Sequence, residues 1–150
     1  MKKLAVIYHS PHGHTEHIAR RIAEGAAAVP ATDVHVLEAD HLANSPEDLI
    51  GFDGYIFGSP TYLGGVCGPF KSFMDATGRL WRSQRLKGKF ACGFTVSSLP
   101  AGDKQSTLLS MFVFAMQHEK TARMFGRNFA QALHRMDSAA RAAEQLEAAR

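Results

Sequence analysis

Cysteine is scarce in this chain. Only Cys67 and Cys92 occur among 150 residues, with no CxxC pair and no zinc-type spacing. Neither a disulfide framework nor a cysteine-built metal site is indicated, and two reduced thiols in a cytosolic protein are the expectation. Long hydrophobic runs are missing too, so no membrane span is expected. Met1-Lys2-Lys3 has the charge of a secretory leader, but the apolar run that follows, residues 4–8, is too short for a leader's core. The cytoplasm is therefore the expected location. There is no internal repeat, low-complexity tract or linker. Tryptophan occurs once, at Trp81, so the basic stretches lack interleaved aromatics and nucleic acid is not an expected partner.

What is present describes an ordinary globular chain. Hydrophobic residues make up 45% and charged residues 21%, which suits a single domain over residues 1–150. The net charge of +3 is unevenly spread. Residues 1–75 hold five Lys/Arg and nine Asp/Glu, a net of −4, while residues 76–150 hold twelve and five, a net of +7. The clearest basic run is Arg79, Arg82, Arg85, Lys87 and Lys89. It reads either as a solvated surface or as an attractor for an anionic substrate such as a phosphorylated nucleotide.

Short apolar runs alternate with helical periodicity. Residues 4–8 read as a strand buried on both faces. After a break at Ser10-Pro11-His12-Gly13, Ile18, Ala19, Ile22, Ala23 and Ala26 recur at the helical period. Val34, Val36 and Leu37 suggest a second strand, residues 46–49 one helical turn, and Tyr55-Ile56-Phe57 a third strand. Phe70, Phe73, Met74 and Leu80 suggest a helix, residues 90–95 a fourth strand and residues 107–116 another helix. Residues 121–149 read as a long alanine-rich helix with Phe125, Phe129, Leu133 and Met136 on its apolar side. Strands alternating with helices imply a parallel sheet covered on both faces.

In such a sheet ligands bind beyond the carboxyl ends of the strands. Three loops leave those ends. The first, Ser10-Pro11-His12-Gly13-His14-Thr15, offers two hydroxyls, a glycine and the start of a helix, whose free N–H groups favour an anion. It has no lysine, so it is not the loop of nucleoside triphosphatases; hydroxyls and amides suit one phosphate monoester held without metal. Taken alone, it is equally an ordinary turn in which Ser10 or Thr15 caps the helix. The second loop, Gly58-Ser59-Pro60-Thr61-Tyr62-Leu63-Gly64-Gly65, has the glycines and proline of an unusual backbone path beside a flat ring. The third, Thr95-Val96-Ser97-Ser98-Leu99-Pro100-Ala101-Gly102, supplies hydroxyls and amides opposite.

Residues 8–15 and Gly58-Ser59-Pro60-Thr61-Tyr62-Leu63-Gly64, together with Phe73-Met74-Asp75-Ala76-Thr77-Gly78-Arg79-Leu80-Trp81, Leu86-Lys87-Gly88-Lys89 and Thr107-Leu108-Leu109-Ser110-Met111, carry a family likeness. The chain resembles flavodoxin-like NAD(P)H:quinone oxidoreductases of the tryptophan-repressor-binding-protein type over most of residues 4–118. The resemblance implies an α/β, doubly wound parallel sheet and tightly bound FMN. It implies an oxidoreductase that passes electrons from NADH or NADPH to a quinone, working as a homo-oligomer. The implied cofactor-binding residues are Ser10, His12, Gly13, His14 and Thr15 at the phosphate, Pro60, Thr61, Tyr62, Leu63 and Gly64 along the isoalloxazine, and Thr95, Ser97 and Ser98 across from it. Trp81 and His118 match the family's tryptophan and histidine near the active site and are the catalytic candidates.

The chain departs from the family after His118, where Glu119-Lys120-Thr121-Ala122-Arg123 runs directly into the final helical pattern. The segment for a fifth strand is missing; either residues 111–115 are recruited as a strand or, as we expect, the sheet has four strands in the order 2-1-3-4. This leaves the edge of the fourth strand open to pairing with another chain. Two other functions compete with the quinone reductase: a flavodoxin-type electron carrier, and a truncated flavodoxin-like protein without enzymatic activity. The basic second half argues against a carrier that meets its partners through an acidic face.

Overall fold

The structure, a computed structural model, describes residues 1–99 and 103–118. The expected final helix, the segment after His118 from which a fifth strand is expected to be missing, and the rest of the expected single domain 1–150 lie outside the described residues.

The apolar run near the start forms β1 (Lys2–Tyr8), and the periodic segment after the break forms α1 (His14–Ala27). β2 (Thr32–Glu38) leads directly into α2 (Ala39–Asn44) and a 3-10 helix, Pro46–Gly51. β3 (Gly54–Tyr62) outruns the three apolar residues that announce it, and turns back as the two-residue β4 (Gly65–Val66). The expected single helix over residues 70–80 is two, α3 (Gly68–Ala76) and α4 (Gly78–Arg82). β5 (Phe90–Val96) and α5 (Lys104–Gln117) follow.

Parallel pairing gives the order β2-β1-β3-β5, with β4 antiparallel to the end of β3. This is the expected 2-1-3-4 order once the small β4 is counted. Met111 lies inside α5, so residues 111–115 do not serve as a strand. Among the described residues β5 pairs with β3 alone, and Phe90 to Gly93 are exposed.

Alternation along β1 divides the core. Val6 and Tyr8 point to Ala19 and Ala23 of α1. Ala5 and Ile7 point the other way, into a larger cluster with Leu42, Phe57, Phe70, Phe73, Met111 and Phe114. Phe57 meets Phe114 at a centroid distance of 5.3 Å, and Phe70 meets Phe73 at 5.4 Å, both edge to face. Such pairs add about 0.5–1.5 kcal/mol beyond the area they bury. The two cores fix the sheet between its helical layers and hold the carboxyl ends of β1, β3 and β5 side by side.

Two glycines bring these strands together. A Cβ on Gly58 would stand 2.2 Å from the Phe94 ring, and one on Gly93 2.8 Å from Met111 Sδ. We expect Gly58→Ala to cost about 1–3 kcal/mol, as overpacking does. Chemical denaturation should show that cost shrinking in a Phe94→Leu background. Equal costs in both backgrounds would mean that the ring is not what requires the glycine.

Candidate functional site

A cleft of about 610 Å³ opens at the carboxyl ends of the strands. The loop after β1 supplies Ser10, Pro11, His12, His14 and Thr15, and α1 adds His17 and Ile18. Pro60, Thr61 and Tyr62 at the end of β3 form one wall, and Val96, Ser97 and Ser98 after β5 form another.

The loop after β1 has the geometry of an anion site. Gly13 precedes α1 at φ 80°, the left-handed region that glycine adopts without steric cost, and a Cβ there would meet nothing within 4 Å. No side chain caps the helix, so neither Ser10 nor Thr15 plays the capping role that the sequence allowed. Thr15 is buried in the first turn. Ser10 Oγ is buried with no hydrogen-bond partner among the described residues. An unmatched buried hydroxyl beside uncapped helix N–H groups calls for an acceptor-rich ligand, and a phosphate meets both demands. His9 Nδ1 lies 2.7 Å from Asp40 Oδ2 just outside.

The walls from β3 and β5 are joined by hydroxyls. Thr61 Oγ1 is 2.7 Å from Thr95 Oγ1 and 2.8 Å from Thr107 Oγ1, and Thr95 Oγ1 donates to Ser59 O at 2.7 Å. Thr95 thus supports the wall from below. Ser97 Oγ donates to Leu99 O at 2.9 Å. Leu63 and Gly64 form the tight turn between β3 and β4, at φ 47° and 81°. Leu63 is fully exposed there, at the rim. Ser106 Oγ of α5 ties this turn down by donating to Gly64 O at 2.6 Å.

Trp81 and His118 stand elsewhere. Both line a second groove, of about 740 Å³, between the α3–α4 segment and α5, together with Met74, Thr77, Leu109 and Val113. This groove shares no lining residue with the first cleft. Trp81 is half exposed. His118 is 7% exposed, and its Nε2 lies 3.2 Å from Thr77 Oγ1. Its ring meets Phe114 edge to face at 5.2 Å, and its Nδ1 has no partner among the described residues. Burial pushes the His118 pKa below the ordinary histidine value.

The structure therefore brings nine of the sequence candidates, Ser10, His12, His14, Thr15, Pro60, Thr61, Tyr62, Ser97 and Ser98, into one cleft. It keeps Gly13, Leu63, Gly64 and Thr95 at its margins and sets Trp81 and His118 apart. His17, Ile18, Ser106 and Thr107 were not anticipated. His17 follows His14 by three residues on a helix, a spacing that places both on one side. None of the five residues of the basic run lines the cleft. Arg79 pairs with Glu47 at 3.0 Å, and Lys89 donates to the carbonyl of Phe52.

A family model described as NADPH-dependent FMN reductase matches residues 2–124. Flavodoxin FldP of Pseudomonas aeruginosa is 41% identical over 122 residues, covering 79% of this chain and 63% of that protein. The NAD(P)H dehydrogenase (quinone) of Acidithiobacillus ferrooxidans is 36% identical over 132 residues, covering 76% and 66%. The chain thus spans a little under two thirds of the length of these two relatives. Among solved structures, a WrbA-like flavodoxin from Agrobacterium tumefaciens superposes with a TM-score of 0.68 at 36% identity, covering 79% of this chain and 74% of that one.

The buried His118 has a pH consequence. Its folded-state pKa lies below its unfolded value, so the unfolded chain binds the proton more readily. The contribution is fully present above the ordinary histidine pKa of about 6.5 and is lost as pH falls from there toward the folded value. We expect denaturation midpoints to decline below that pH and the decline to be shallower in His118→Gln. An equally steep decline in the variant would assign the effect to other groups.

Proposed function

This chain belongs to the NADPH-dependent FMN reductase family, and from that premise we propose that it binds FMN in the Ser10 cleft and passes electrons from NADH or NADPH to a quinone. The observation that carries the reading is Ser10 Oγ, buried and unpartnered beside the uncapped start of α1. In this reading Ser10, Thr15 and the backbone N–H groups around Gly13 hold the phosphate, with His12 and His14 at the mouth. The backbone of Pro60, Thr61 and Tyr62 flanks the ring on one side and Ser97 and Ser98 on the other, with Leu63 and Gly64 at the rim. Bound FMN supplies the two-electron chemistry, and the protein supplies position and electrostatics. The quinone reading draws support from the relative named NAD(P)H dehydrogenase (quinone).

Trp81 and His118 do not line the flavin cleft of their own chain, so a catalytic role for them requires a second copy. In this reading the chain works as a homo-oligomer in the cytoplasm, the groove of one copy facing the flavin cleft of another. Trp81 then offers an aromatic face and His118 a polar edge to the nicotinamide or quinone.

The likeness to flavodoxin FldP favours a second reading, a one-electron carrier. A carrier binds FMN but does not turn over NAD(P)H with a quinone. Titration of the purified chain with FMN, followed by quinone-dependent NAD(P)H oxidation, separates the two. We expect saturable FMN binding and turnover. Because hydrogen bonds to a charged group contribute about 1.5–3 kcal/mol each, Ser10→Ala/Thr15→Ala should weaken FMN by more than about tenfold. Unchanged affinity in that double variant would remove the phosphate from this loop.

A further inference from the structure

The hydroxyls of Thr107, Thr61 and Thr95 form a chain with only one consistent direction. A threonine hydroxyl has one proton to donate. Thr95 gives its proton to the carbonyl of Ser59 at 2.7 Å. In the 2.7 Å pair between Thr61 and Thr95, Thr61 must therefore donate. Thr61 then has no proton left for the 2.8 Å pair with Thr107, so Thr107 donates to Thr61. The other contact of the Thr107 hydroxyl, to Asp103 O, is longer at 3.4 Å. Thr107 is fully buried in the first turn of α5.

The chain crosses the cleft floor. Thr61 belongs to the β3 wall, and Thr95 precedes the Val96–Ser98 wall by one residue. One turn of α5 holds this region twice, through Thr107 to Thr61 and through Ser106 to Gly64 O at 2.6 Å. All three threonine protons are used inside the protein. The Thr61 side chain therefore has no proton to give a ligand.

We propose that Thr107 is a positioning residue for the ring half of the site: by donating to Thr61 it sets the direction of the chain and, with it, the spacing of the two walls. The proposal rests on the reading that the cleft takes FMN. It distinguishes two halves of one ligand. The phosphate half depends on Ser10 and the start of α1, and the ring half on the threonine chain.

The test uses FMN and riboflavin, which share the ring and differ in the phosphate, with binding read by quenching of flavin fluorescence. Thr107→Val, close in shape and without the donor, should weaken both ligands by the same factor, about tenfold for a buried hydrogen bond that orders a site. Thr107→Ser should restore both. Ser10→Ala should weaken FMN and leave riboflavin unchanged. Thermal unfolding of each variant without flavin checks folding. If Thr107→Val does not fold, Thr95→Val breaks the same chain at its other end and should give the same loss for both ligands. A wild-type chain that binds neither flavin overturns the site reading and the proposal with it. Wild-type binding with unchanged binding by the folded variant, or a loss confined to FMN, overturns the proposal and leaves the site reading standing.

Discussion

A hydroxyl buried without a partner costs a folded protein about 1–3 kcal/mol. Ser10 carries one, at a point where the chain has several ways to avoid it. The loop is short, the helix behind it begins without a side-chain cap, and a serine beside an uncapped helix start is well suited to capping it. Instead, Gly13 occupies the cap position in a left-handed conformation and brings no side chain to it. The polar demand at the start of α1 is thus left facing the cleft. An anion that meets it recovers the cost of the orphaned hydroxyl and gains the helix N–H groups in the same contact. The rest of the site takes its placement from this end, because the strand that delivers Ser10 is the one around which the sheet is ordered.

The two halves of the cleft are held by different physics. The Ser10 end is local: β1, five residues of loop and the first turn of α1 make it, and the packing of Ala19 and Ala23 against Val6 and Tyr8 fixes the helix on the sheet. The other end is non-local. Its walls come from β3 and β5, 34 residues apart at Thr61 and Thr95, and the tie to α5 spans 46 residues. A local site survives changes elsewhere in the chain, while a non-local one depends on the aromatic cluster around Phe57 and Phe114 that seats α5. The histidine-rich mouth, without a lysine or arginine side chain in its lining, places the work of anion recognition on backbone geometry more than on net charge.

This division decides what was legible in the sequence. The buried strands, the helical stripe of α1 and the Ser10–Thr15 loop could be read because the signal and the structure occupy the same few residues. Tyr55-Ile56-Phe57 marked β3 but not its length. The strand continues through Ser59, Pro60 and Thr61, whose side chains carry no apolar pattern, because pairing with β5 and the β4 hairpin sustains it. Periodicity alone joined α3 and α4, since both bury apolar residues on one side; the break is at Thr77, whose hydroxyl donates to the Met74 carbonyl at the end of α3 and leaves the start of α4 without a side-chain cap. Ser106 and Thr107 looked like polar residues opening a helix. Their partners, Gly64 and Thr61, are more than forty residues away, and nothing within the helix itself announces them. The basic run invited an electrostatic reading, yet Arg79 and Lys89 hold Glu47 and the Phe52 carbonyl, contacts that only the folded chain brings into reach.

The placement of Trp81 and His118 is the point at which family likeness and geometry must be combined. Motif matching put both residues at an active site without saying whose. The groove they line is formed by α3, α4 and α5, and the cleft by strand ends and the start of α1; no lining residue is common to the two. A half-exposed tryptophan beside a buried histidine with an unmatched Nδ1 is an unfinished surface by the same reasoning that applies to Ser10. The two unfinished surfaces differ in character. One asks for an anion at a helix start, the other for an apolar ring with a polar edge. In the proposed reading one end of a flavin meets the first, and a nicotinamide or quinone at a neighbouring copy's site meets the second. Among the described residues the two surfaces share no lining residue, and that is why the proposal pairs copies of the chain to put both to use.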